Sequence, residues 1–98
     1  MNDDEASDDK AHTEGELLKF PTDYPIKVVG RSEPTLRARI DAVLLRHVPD
    51  VTPERISERP SGHGNFVSIT YIIIARSREQ IVALVQELAA TSGVMMVI

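Results

Sequence analysis

The stretch Phe66-Val67-Ser68-Ile69-Thr70-Tyr71-Ile72-Ile73-Ile74-Ala75 decides the fold. Branched and aromatic residues dominate it, as a pleated, half-buried strand requires. Side chains alternate across a strand, so one face carries Val67, Ile69, Tyr71 and Ile73. The other carries Phe66, Ser68, Thr70, Ile72 and Ile74. The first set reads as core. The second mixes hydroxyls at mid-strand with apolar residues at the end, unlike either a core or an ordinary solvated face.

Upstream of it, Ser61-Gly62-His63-Gly64-Asn65 is a turn cluster. Before the turn, Thr52 to Arg59 predicts a strand with only Ile56 strongly apolar. Its charges, together with Pro60, suit an edge that resists pairing with other chains. The two runs form a hairpin. Farther upstream, Tyr24 to Val29 predicts a first strand ended by Gly30, with Ile26 and Val28 facing one side and Lys27 and Val29 the other.

Between these strands, Ser32-Glu33-Pro34 predicts a helix start with serine as the cap and proline in the first turn. Leu36, Ile40, Val43, Leu44 and His47 recur at helical spacing, with Arg37, Asp41 and Leu45 on or near the outer side. Pro49 closes the helix. After the decisive strand, Ser77-Arg78-Glu79-Gln80 predicts a capping box. Ile81, Leu84, Val85 and Leu88 follow as an apolar stripe, and Ser92-Gly93 stops the helix. Val94 to Ile98 is a last strand, adding Met95 and Val97 to the outer face.

The order is strand, helix, strand, strand, helix, strand. Right-handed crossovers fold it into an α+β, ferredoxin-like βαββαβ sandwich. It has a four-stranded antiparallel sheet with two helices on one face, strands one and three being central. Residues 17–98 form this single domain. A domain this small buries about 60% of its unfolded surface, leaving room for one core and one shallow site.

Residues 1–16 hold seven acids and one lysine, a net of −6, while the remaining residues hold eight acids and ten bases, a net of +2. So apolar-poor and like-charged a segment cannot offset its ordering entropy, and it is expected to be a disordered acidic tail. The near-neutral remainder gives no electrostatic case for nucleic acid. The chain has no cysteine, which removes disulfides, thiolate metal sites and cysteine nucleophiles. No apolar run spans a membrane and the N-terminus is unlike a signal peptide, so a cytoplasmic location is expected.

In order along the chain stand Phe20-Pro21-Thr22, Lys27-Val28, Gly30, Arg46-His47 with Pro49, Ser61, Gly64, Asn65-Phe66 and Ser68. Glu79-Gln80, Leu84, Leu88 and Met96-Val97 complete the set. As an ordered set these residues resemble the YbeD family of small bacterial proteins. The resemblance covers roughly four-fifths of the chain and leaves out the acidic tail. It implies a ferredoxin-like fold similar to ACT domains, the regulatory modules that bind amino acids at domain interfaces. It implies no particular reaction.

Catalytic readings are poor. Nucleophilic catalysis needs a base within hydrogen-bond reach of a serine or threonine. Of the three histidines, His12 lies in the tail. His47 ends a helical stripe, where capping the last turn or packing beside Pro49 is the plainer role. His63 lies in the turn Ser61-Gly62-His63-Gly64, either a simple hairpin or a loop whose amides meet an anion or ligand. No catalytic residue, cofactor or metal site is expected.

The face formed by Lys27, Val29, Phe66, Ser68, Thr70, Ile72, Ile74 and Met95 is the best lead. Monomers seldom leave large apolar patches bare. Three occupants stay open: the chain's own residues 17–21 or tail, a second copy in a homodimer, or a protein partner or small metabolite. The expected function is a non-catalytic regulatory or adaptor module acting through this face. The alternative is single-stranded nucleic-acid binding through Phe66 and Lys27, with Tyr24 as the other stacking platform.

Overall fold

β3 spans Phe66–Ala75 and is the axis of a computed structural model that describes residues 18–98. The expected acidic tail, residues 1–16, and Leu17 lie outside the described residues. β1 (Thr22–Arg31) pairs antiparallel with one side of β3, and β2 (Ile56–Ser61) with the other. β4 (Val94–Val97) adds to the far side of β1, so the sheet order is β2-β3-β1-β4. Two helices, α1 (Leu36–His47) and α2 (Arg78–Ala89), complete the expected βαββαβ order.

The core lies between helices and sheet. Ile26, Val28, Val67, Ile69, Tyr71 and Ile73 meet Leu36, Ile40, Val43 and Leu44 of α1 and Leu84 and Leu88 of α2. Each large aliphatic side chain so buried contributes about 1.5–3 kcal/mol. Both apolar stripes read from the sequence therefore face inward.

Four boundaries differ from expectation, each for a local reason. Gly30 does not end β1 but sits inside it and is buried. A Cβ there would lie 2.7 Å from Gly93 O and 2.9 Å from Leu36 Cδ2, so glycine permits the close approach of the β4 entry and of α1. α1 begins at Leu36 with Thr35 as its cap, not at Ser32. The Ser32 amide is drawn toward the hairpin, donating to Asn65 O at 2.9 Å, while Glu33 to Leu36 forms a separate turn.

The expected strand from Thr52 opens instead with a 3-10 turn at Pro53–Arg55, and pairing starts only at Ile56. The fourth difference is in β4. Val94 and Val97 both pack on the core although they are three residues apart. A register shift opposite Val29 and Gly30 absorbs the extra residue. Val97 is therefore a core-side residue, correcting its expected place on the outer face. Met96, paired with Val29, takes that place beside Met95.

The second helix start is as expected in one half. Ser77 Oγ accepts from the Gln80 amide at 3.0 Å, but Gln80 Oε1 accepts from the Arg76 amide, one residue before the cap. Both prolines within strands lie where no ladder bond is lost. Pro60 is on the edge strand, and Pro25 precedes the point where β1 meets β4, since Ile98 pairs with Lys27.

Candidate functional site: the uncovered sheet face

The strand register fixes what the helix-free face displays. One row reads Ser57, Thr70 and Lys27, with Ile98 beyond. The next reads Arg59, Ser68, Val29 and Met96. Ser61, Phe66 and Arg31 form a third. Toward the other end come Ile72 with Pro25, then Ile74 with Asp23.

The structure thus brings Lys27, Val29, Phe66, Ser68, Thr70, Ile72 and Ile74 together, with Met95 at the bulge. It adds Ser57, Arg59, Arg31, Met96 and Ile98. The β2 residues were missed because the strand begins later than its sequence suggests, although Ser57, Arg59 and Ser61 share one parity.

The face is open. Ile72 is 39% exposed, Met96 50% and Ile98 68%. Residues 18–21 do not cover it. Leu18 and Phe20 line a groove with Tyr24, Ile81 and Val82, on the helical side of the molecule. Among the described residues, Arg55 reaches over it, donating to Ile72 O at 3.2 Å and Asp23 Oδ1 at 3.1 Å, which bridges β3 at the far corner.

Charge on the face is uneven. Arg37, Arg39, Arg46, Arg55 and Arg76 are each paired with a carboxylate. Among the described residues, Lys27, Arg31 and Arg59 make no such pair. A shallow depression of about 360 Å³ lies at the centre, lined by Lys27, Ser57, Glu58, Arg59, Ser68 and Thr70.

The glycine turn is more internally committed than its composition suggests. Gly62, His63 and Gly64 all adopt positive φ, at 59°, 58° and 87°. The amides of Gly64 and Asn65 donate back to Ser61 O and Gly62 O, so neither points outward at an anion. The Phe66 ring packs against Gly62, where a Cβ would come within 2.7 Å of it. One part of that ring is thus covered by the turn. Tyr24, the other expected stacking platform, pairs with Ile73 and packs on the core side, which removes it from this face.

His47 joins the two helices. Its Nε2 lies 2.7 Å from Glu87 Oε1, Arg46 pairs with the same carboxylate, and Gln80 donates to the His47 carbonyl at 3.1 Å. His63 stands exposed on the turn. Among the described residues, no three metal-ligating side chains cluster and no helix is long and apolar enough to cross a membrane.

One polar cluster was not anticipated. The Tyr71 hydroxyl donates to Asp41 Oδ1 at 2.6 Å, and Arg37 Nε reaches both Asp41 oxygens at 2.9 Å. Arg37 also donates to Glu58 at 2.6 Å. Arg37, Asp41 and Tyr71 line a crevice of about 220 Å³ beneath α1, with Leu44, Leu45, Val51, Pro53 and Ile56. Burial, then the bond to Asp41, holds the Tyr71 phenol well above its ordinary value. The spacing of Arg37 and Asp41 hinted at their mutual pair, but the partner on β3 is visible only in three dimensions.

A family model described as protein of unknown function, DUF493, matches residues 15–98. The chain belongs to this family. The resemblance to the YbeD family read from the sequence is thereby shown. A UPF0250 protein of Shewanella loihica is 46% identical over 80 residues, covering 81% of this chain and 88% of the relative. One from Bordetella pertussis is 36% identical over 75 residues, covering 76% and 82%.

Among solved structures, a protein from H. pylori aligns with a TM-score of 0.64 at 11% identity, covering 83% of this chain and 85% of that one. The ACT domain from GTP pyrophosphokinase of Chlorobium tepidum gives 0.59 at 19% identity, covering 79% and 97%. These likenesses show the fold, which is ferredoxin-like and ACT-like.

Proposed function

We propose that this DUF493 chain is a non-catalytic regulatory or adaptor module whose working surface is the helix-free sheet face, where it takes up a small metabolite or a protein partner. The observation that carries the reading is this face, which neither helix nor any other described segment covers. It combines exposed Ile72, Met96 and Ile98 with three cations that no described carboxylate neutralises. Exposed apolar surface next to unneutralised charge is a common mark of an interaction site. The ACT-like fold supports a regulatory role by analogy alone. The cytoplasm is the compartment in which we expect it to work.

Binding of single-stranded nucleic acid is the weaker reading. Stacking needs exposed aromatics on the face, and Tyr24 is on the other side while Phe66 leans on the turn.

The test is a chemical-shift map of the 15N-labelled full chain in clarified lysate of its native host, separated into macromolecular and small-molecule fractions. Shifts on the outward-facing residues of β1, β3 and β4 support the reading. Shifts confined to α1 and α2, or none in either fraction, count against it.

A further inference from the structure

We propose that the depression at the centre of the open face is a binding site for a compact anion, the carboxylate or phosphate group of a small metabolite. The inference rests on the reading of that face as the working surface and supplies its ligand class.

Three observations converge on it. First, the depression is lined by two cations, Lys27 and Arg59, and three hydroxyls, those of Ser57, Ser68 and Thr70. Register places Lys27 and Arg59 on the two strands that flank β3 and two residues apart along it, so their backbones stand about 12 Å apart on a diagonal, with Ser68 and Thr70 between them. A compact anion between the cations would meet an ammonium on one side and a guanidinium on the other. The hydroxyls can rotate to donate from below.

Second, these cations are uncommitted. Lys27 and Arg59 pair with no carboxylate among the described residues, while five other arginines do. Like charges on one sheet face repel, and an anion between them relieves this.

Third, the one acid of the lining is directed to the helical side of the sheet, away from the open face. Glu58 pairs in register with core-side Ile69, and its carboxylate accepts from Arg37 at 2.6 Å. The crevice beneath α1, by contrast, presents no unpaired cation among the described residues. Its arginine, carboxylate and phenol are bonded to one another, so no polar group there awaits a ligand.

The experiment titrates the 15N-labelled full chain at low ionic strength with inorganic phosphate in one arm and succinate in the other. Saturable shifts at the amides of Lys27, Ser57, Arg59, Ser68 and Thr70 are expected, and the tighter arm identifies the head group. Lys27→Ala and Arg59→Ala should each weaken binding about fivefold or more. Arg78→Ala, which removes a cation on α2, should leave it unchanged. All three positions are exposed, and the dispersion of the same spectra checks folding. Absence of saturable shifts in both arms overturns the proposal. So do shifts scattered over other elements, or equal weakening by Arg78→Ala. If the lysate map still falls on this face while the two substitutions leave it intact, the anion site is wrong and the face reading stands. If the map falls elsewhere, the face reading itself is wrong.

Discussion

The Tyr71 hydroxyl, at the centre of β3, donates to Asp41 of α1 at 2.6 Å and ties the sheet to the first helix at the partly exposed margin of the apolar core. Arg37 completes the arrangement by bonding both Asp41 oxygens. Replacing Tyr71 by Phe removes the donor but leaves Asp41 paired with Arg37. The expected loss is therefore modest, about 1 kcal/mol, measured by urea unfolding at neutral pH.

The same bond sets an alkaline limit. The phenol's folded value lies above its unfolded value of 10.0. Its stabilising contribution is full below that unfolded value. Above it the unfolded chain releases the proton while the folded chain keeps it, so stability falls as pH rises toward the folded value. Unfolding midpoints measured through this range should decline more steeply in the wild type than in Tyr71→Phe.

Two glycines are required for different reasons. At Gly30 a methyl group meets the Gly93 carbonyl, held by the Arg31 amide, and Leu36, held in the core. Gly30→Ala should cost on the order of 1–3 kcal/mol by overpacking and shift β4 amides. At Gly62 the strain of positive φ is joined by collision with Phe66, whereas at Gly64 a Cβ meets nothing within 4 Å. Gly62→Ala should thus destabilise more than Gly64→Ala, and only the former should move the Phe66 ring resonances.

The acidic segment gives a charge-based expectation. Residues 1–16 carry a net of −6 against +2 for the rest. Their field opposes any anion approaching the open face. Deleting them should tighten phosphate or succinate binding at low salt. The difference should shrink near physiological salt, where the screening length is about 8 Å. Weaker binding after deletion would mean that the segment forms part of the site.

The fold was legible because local signals agreed with one another. β3 alternates cleanly from Phe66 to Ala75, both helical stripes face the core, and Ser77 caps α2 as its hydroxyl implies. What was not legible depends on partners distant in sequence. Gly30 reads as a terminator until Gly93 and Leu36 are seen against it. Met96 and Val97 exchange faces because β4 carries an extra residue, and no spacing within Val94 to Ile98 announces it.

The composition of the candidate face was legible in its β1 and β3 residues, whose alternation is regular. The contribution of Ser57 and Arg59 was hidden by the turn at Pro53–Arg55, which delays β2. Tyr24 shares the parity of Ile26 and so faces the core, and its aromatic character was the misleading cue.

The most direct test compares lysate-induced shifts in the wild-type chain, in Ile72→Asp and in Val82→Asp. Ile72 is exposed on the open face and Val82 is exposed on α2. A charge at Ile72 should abolish the shifts on β1, β3 and β4, and one at Val82 should leave them as they are. Equal loss in both variants, or retention in Ile72→Asp, would contradict the account.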